Sequence, residues 1–204
     1  MTAAGRFKIL VPIGCRSDEG LSAPVIRRLK AQEWCIVETV QLIPQEFLAS
    51  YAKTECCIQH GNPDLILVVG DRVEMCAAAA AAFHNKVKIA HLYAGVVNDP
   101  VTTFDDVDRH CITLWSDLIF CETDEAADVV YKLKTAFKGP AQIFPTGITH
   151  LDDLEVDEND MPPEPYDLVL INAEPLTENL PNFCKDRYTV WIGGNPDGYV
   201  HDNG

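Results

Sequence analysis

The chain has 204 residues, a formal net charge of −15 and 47% hydrophobic residues, enough for one large domain with a small appendage. That acidity excludes a general nucleic-acid or membrane-surface binder, either of which needs a basic face. No apolar run approaches the ~20 residues that span a bilayer, and the short run Phe7–Ile13, broken by Pro12, is not a signal peptide.

In chain order, residues 7–13 form an apolar strand, followed by a turn at Gly14-Cys15-Arg16-Ser17-Asp18. Leu21, Val25, Ile26 and Leu29 make the apolar stripe of a helix over residues 21–30. A second strand covers 35–42 and a helix 47–60, ended by Gly61-Asn62-Pro63. Residues 65–69 are apolar throughout, as a central parallel strand buried on both faces requires. The alanine-rich stretch 75–83 is a strong helix former whose small side chains let it lie close to a sheet. A strand over 87–93 leads to a loop with Gly95 and Pro100, then a helix over 105–116. Strand 118–121, helix 124–134 and strand 142–145 complete the alternation. The expected fold class is therefore α/β, a Rossmann-like parallel sheet flanked by helices with right-handed crossovers.

Residues 152–165 carry seven acidic residues and three prolines and read as a linker. Beyond it, strand-like runs at 166–172 and 188–193 form a short appendage over 166–204. Two strands do not make a stable domain, so these pack on the main domain, pair with another chain, or belong to something larger. The expected division is thus a domain over 1–151, the linker, and the appendage. The cysteines at 15, 35, 56, 57, 76, 111, 121 and 184 show no CxxC or Cys/His zinc spacing. They read as reduced and mostly buried, which points to the cytoplasm; nothing in the sequence calls for a metal or a cofactor.

Two polar clusters flank the central elements: Gly70-Asp71-Arg72-Val73-Glu74 and Asp105-Asp106-Val107-Asp108-Arg109-His110. Groups so placed lie at the mouth of an α/β sheet, where ligands bind. Carboxylates there move protons and arginines hold anions, a combination suited to a phosphorylated sugar. Each residue also has a plain structural alternative. Asp71 caps the alanine helix, Asp105 and Asp106 cap the next one, Arg109 bridges to Asp105 one turn away, and His91 is a core histidine.

Several segments together resemble the UDP-N-acetylglucosamine 2-epimerases, in particular the hydrolysing branch. They are the loop from Ile13 to Gly20, Pro24-Val25-Ile26-Arg27-Arg28-Leu29, Gly70-Asp71-Arg72-Val73-Glu74-Met75, the run DDVDRHCITLWSDLIF from Asp105 to Phe120, and Pro145-Thr146-Gly147. The resemblance implies the N-terminal half of a two-domain, glycosyltransferase-B-like fold with a much reduced C-terminal domain. It implies a UDP-sugar ligand and a reaction that abstracts the C2 proton and releases UDP, giving N-acetylmannosamine. Carried over by position, Asp71, Asp105, Asp106 and His110 are the catalytic candidates. Arg16, Arg72, Glu74, His91, Arg109, Asn195 and Asp197 are the substrate-binding ones. One departure stands in the middle of this set: Val96 occupies the position where the hydrolysing branch carries a glutamate, and Tyr93 that of the glutamate in the other branch. Either Asp99 substitutes for the missing carboxylate, or the chain is an inactive sugar-nucleotide-binding or regulatory module of the same fold. Completion of the cleft calls for a homo-oligomer or a partner subunit.

Overall fold

The computed structural model describes residues 5–97, 103–137 and 141–152, together with the backbone of 166–170 and 188–192. The chain divides into two compact units, Met1–Asp153 and Leu154–Gly204.

The first unit alternates strand and helix throughout: β1 (Phe7–Ile13), α1 (Arg16–Lys30), β2 (Cys35–Gln41), α2 (Phe47–Gly61), β3 (Leu65–Val69), α3 (Val73–His84), β4 (Lys88–Ala94), α4 (Phe104–Trp115), β5 (Leu118–Cys121), α5 (Asp124–Phe137) and β6 (Gln142–Pro145), then a single 3-10 turn at Thr149–Leu151. The six strands pair in the order β2-β1-β3-β4-β5-β6, all parallel. This is the Rossmann-like α/β sheet expected from the sequence. Because β1 stands between β2 and β3, the chain leaves it in one direction and returns on its other side. That reversal opens a crevice beyond the carboxyl ends of β1 and β3.

Period-two alternation sorts the strand side chains onto two faces. Leu10, Ile66, Val68 and Ile89 join α2, α3 and α4 through Ile58, Met75, Ala78, Ala79, Ala82 and Ile112. Ile9, Val11, Leu67, Val69, Ala90 and Leu92 pack on the other side against Leu21, Val25, Ile26 and Leu29 of α1. Among the described residues only α1 and the 3-10 turn serve this second side, and they leave an apolar groove of about 930 Å³ lined by Val25, Leu29, Trp34, Leu67, Leu92 and Phe120.

Helix α3 holds the first side together. Ala77, Ala78, Ala79, Ala81 and Ala82 have no exposed surface, and Ala80 almost none. A helix buried all round has no room for branched side chains, so alanine meets both propensity and packing. Helix α4 ends against a buried cation: the Lys134 ammonium donates to the carbonyls of Leu114 (2.8 Å) and Ser116 (2.7 Å). It satisfies carbonyls that the helix end leaves unpaired and offsets the negative end of the helix dipole.

Of the element boundaries that differ from the sequence expectation, two have reasons visible in the hydrogen bonds and backbone angles. Helix α1 starts at Arg16 rather than residue 21, because the Asp18 carboxylate accepts the N–H groups of Gly14 (3.0 Å) and Cys15 (2.8 Å) and caps the helix from its first turn. Strand β4 extends to Ala94 through an irregularity between Leu92 and Ala94, where Tyr93 takes a φ of 63°. A left-handed aromatic residue in a strand is a strained choice. Here its hydroxyl is held by Thr149 Oγ1 (3.0 Å) and His150 Nδ1 (3.1 Å), and it accepts the His150 N–H (3.2 Å).

In the second unit, β7 (Tyr166–Leu170) and β8 (Tyr188–Ile192) pair in parallel, with Asp167 opposite Thr189. Residues 153–165 of the expected linker over 152–165, with Asp99, Asn195 and Asp197, lie outside the described residues. None of the described cysteines forms a disulfide; Cys35, Cys76 and Cys121 are buried and Cys56 is exposed. No helix among the described residues is long and apolar enough to cross a membrane.

The α3 packing makes a direct prediction. Replacing fully buried Ala79 by leucine adds three carbons where no space exists, and should lower stability by about 1–3 kcal/mol. A urea midpoint equal to that of the unaltered chain would contradict the close packing.

Candidate functional site

The carboxyl ends of β1, β3 and β4 carry the polar groups. Strand β3 is apolar to its last residue and ends at Gly70, whose φ of 75° is readily adopted only by a residue without a β-carbon. That turn delivers Asp71 and Arg72 to the strand ends, with Arg72 as the N-terminal flanking residue of α3.

Asp71 is paired with the Arg109 guanidinium of α4. The same guanidinium donates to the Val96 carbonyl (3.0 Å), so one arginine ties the loops after β3 and β4 together. The Arg109–Asp105 bridge that helical spacing suggested is replaced by this long-range pair. Asp105 stands exposed in the first turn of α4.

Asp106 caps α4. Its carboxylate accepts the Thr103 N–H (3.2 Å) and hydroxyl (3.1 Å), and the side chain is almost fully buried. Such a carboxylate fixes the helix start. Arg16 is the first residue of α1 and is exposed, an arrangement suited to an anion at a helix N-terminus.

His91 lies at the floor of this region with no exposed surface. Its Nε2 is 2.7 Å from the Gly70 carbonyl and its Nδ1 is 3.1 Å from the Thr113 hydroxyl. A carbonyl only accepts, so the ring proton sits on Nε2, while Nδ1 lies against the Thr113 hydroxyl, which also donates to the Arg109 carbonyl at 2.9 Å. Both ring nitrogens are therefore engaged by the protein, and His91 supports the Gly70–Asp71 turn from below. Burial pulls its pKa down to about 4, an effect reinforced by His110 and Lys134. His110 is also lowered, chiefly by burial and then by Arg109. Its Nδ1 and the Arg109 Nε are buried polar atoms without a hydrogen-bond partner among the described residues.

A second cluster joins the ends of β1 and β3. Glu74 has no exposed surface; it accepts the Arg72 Nε–H at 2.7 Å and the Gln45 N–H at 3.1 Å. The Arg72 pKa is raised, first by its hydrogen bond to Glu74. Gly14 makes this arrangement possible, because a β-carbon there would lie 2.5 Å from Glu74 Oε1. Sequence reasoning singled out Glu74 but not Gly14 or Asp18 as its neighbours. The glycine at a strand end and the aspartate four residues later were the available signals.

Taken together, a doubly wound parallel sheet with arginines and carboxylates gathered at the carboxyl ends of β1, β3 and β4 defines a protein of the Rossmann-like α/β class with a strand-end ligand crevice. Residues 46–178 match the family profile described as UDP-N-acetylglucosamine 2-epimerase, and this chain belongs to that family.

Among curated relatives, a UDP-N,N'-diacetylbacillosamine 2-epimerase (hydrolyzing) from Legionella pneumophila is 33% identical over 93 residues, which cover 46% of this chain and 23% of that protein. A UDP-N-acetylglucosamine 2-epimerase from Bacillus subtilis is 31% identical over 101 residues, 48% of this chain and 26% of its own length. Among solved structures, S. aureus MnaA with UDP superposes with a TM-score of 0.71 at 21% identity, covering 94% of this chain and 63% of that one. The UDP-GlcNAc 2-epimerase of Methanocaldococcus jannaschii, in complex with UDP-GlcNAc and UDP, gives 0.69 at 17% identity, covering 93% and 66%. The chain thus spans less than a third of these curated relatives and about two thirds of these structures.

His91 gives the region a pH signature. Its pKa falls from 6.5 to about 4 on folding, so the unfolded chain takes up the proton first as pH falls. The stability due to neutral His91 is complete above about pH 6.5 and is lost between there and about pH 4, roughly 3 kcal/mol in all. Urea unfolding across this window should show a shallower acid loss in His91→Gln than in the unaltered chain; equal slopes would refute it.

Proposed function

We propose that this chain is a sugar-nucleotide-binding member of its family that takes a UDP-N-acetylhexosamine at the strand-end crevice and does not, as a single chain, carry out the C2 proton abstraction. The observation that carries this reading is the double engagement of Arg109. It holds the Asp71 carboxylate on one side and the Val96 carbonyl on the other, and Val96 stands where the hydrolysing enzymes this chain resembles carry a glutamate. Epimerisation through C2 needs a group to remove the proton and groups to stabilise and rehydrate what results. Asp71 supplies one carboxylate at the crevice; the valine supplies none.

Binding needs less. Arg72 and exposed Arg16 at the start of α1 provide charge for a diphosphate beside a helix N-terminus. The solved relatives that superpose on the chain hold UDP, or UDP-GlcNAc and UDP, which supports a ligand of this kind.

A second reading follows from Arg109 Nε and His110 Nδ1, which have no hydrogen-bond partner among the described residues. Buried polar atoms without partners each cost about 1–3 kcal/mol, and a ligand or an opposing wall would remove that cost. On this reading a second copy or a partner subunit completes the cleft. Asp71, Asp105 and His110 then serve the family reaction, releasing UDP and forming N-acetylmannosamine.

Calorimetry with UDP and UDP-N-acetylglucosamine, alongside an assay for released UDP, separates the two. The purified chain should bind both ligands and release no UDP above a protein-free control. UDP release that disappears in Asp71→Asn would overturn the first reading in favour of the second.

A further inference from the structure

Glu74 is a carboxylate with no exposed surface at the crevice between β1 and β3, in a place where it cannot reach a ligand. We propose that Glu74 is a positioning residue for Arg72: it holds the guanidinium by Nε so that the two terminal nitrogens face the phosphates of a nucleotide diphosphate. This rests on the reading that such a ligand binds at the strand ends.

A guanidinium has one edge formed by its two terminal nitrogens and another that includes Nε. Glu74 Oε1 accepts Nε–H at 2.7 Å, and the terminal nitrogens make no hydrogen bond to any described residue. The arginine side chain keeps about a third of its surface exposed. An arginine anchored in this way has one donor spent on the protein and a fork left for an anion.

The anchor is itself fixed from three directions. Oε2 accepts the Gln45 N–H (3.1 Å), a backbone group of the β2–α2 loop whose residue takes a φ of 61°. Gly14, at the end of β1, leaves the space that Oε1 and Cγ fill; a β-carbon there would come within 2.5 and 2.6 Å of them. The rest of the residue is held in the first turn of α3, whose next eight residues are all buried. A carboxylate immobilised against three loops transmits that rigidity to the arginine it holds, so less freedom is lost when a ligand arrives.

A mutant cycle read by UDP titration tests this. Arg72→Gln should weaken UDP about tenfold, Glu74→Gln by a similar factor, and the double variant by no more than either alone. Melting temperatures and circular dichroism are recorded for each. Losses that multiply in the double variant would overturn the proposal while leaving UDP binding intact. So would an Arg72→Gln that binds UDP as well as the unaltered chain does. Failure of the unaltered chain to bind UDP would sink this proposal and the underlying reading together.

Should Glu74→Gln not fold, the unaltered chain decides by nuclear magnetic resonance. The Arg72 Nε–H should exchange slowly and keep its chemical shift at saturating UDP while the terminal N–H resonances move. An Nε–H that moves with them would show the guanidinium turning its anchored edge to the ligand, and the proposal would fall.

Discussion

Parallel strands have to be buried on both faces, and in this chain that constraint decides where chemistry can occur. β3 and the middle of β4 offer only apolar side chains and one fully enclosed histidine to the two layers beside them. Beyond its first turn, helix α3 then seals one side with a run of buried alanines, from Ala77 to Ala82. Apart from Lys134, which caps the end of α4, the buried ion pairs gather at the carboxyl ends of the strands, where backbone turns and helix N-termini converge. The crevice is where the sheet's demand for burial ends.

At those ends two ionic arrangements divide the work. Arg109 joins Asp71 to the Val96 carbonyl and so registers the loop after β3 against the loop after β4. Glu74 joins Arg72 to Gln45 and occupies the space left by Gly14, registering the loop after β3 against those after β1 and β2. The β3–α3 turn belongs to both, and His91 supports it from within the sheet through the Gly70 carbonyl. Buried ion pairs of this kind are costly to assemble and add little net stability. What they provide here is a fixed direction for each charge.

Much of the architecture was legible in the sequence because apolar periodicity is a local property. The fully apolar run at 65–69, the alanine stretch and the alternating elements around them each announced their type within a few residues. Boundaries set by polar contacts were less visible: Asp18 reaches back to Gly14 and Cys15 and starts α1 a turn earlier than its apolar stripe does. The site divided in the same way. Asp71, Arg72 and Arg109 stood out by residue type, yet the partner of Arg109 was sought four residues away on its own helix and is found on another loop, across 38 positions of sequence. The Asp106 alternative, a capping role, fits its bonds to Thr103, and both nitrogens of His91 serve the core. Pairings between distant loops depend on the fold that brings them together, so no local pattern contains them.

Tyr93 has a mechanical consequence. It occupies the left-handed position at the end of β4, three residues before the Val96 carbonyl that Arg109 grips. Its hydroxyl is fastened to Thr149 and His150, in the final turn that the first unit makes. A short lever therefore runs from that turn, through one phenol ring, to the strand end beside the ion pair. Tension or torsion applied to the chain just after Leu151 has a path through Tyr93 to the loop that Arg109 holds, beside the contact that Asp152 makes with Arg28 of α1 at 3.6 Å.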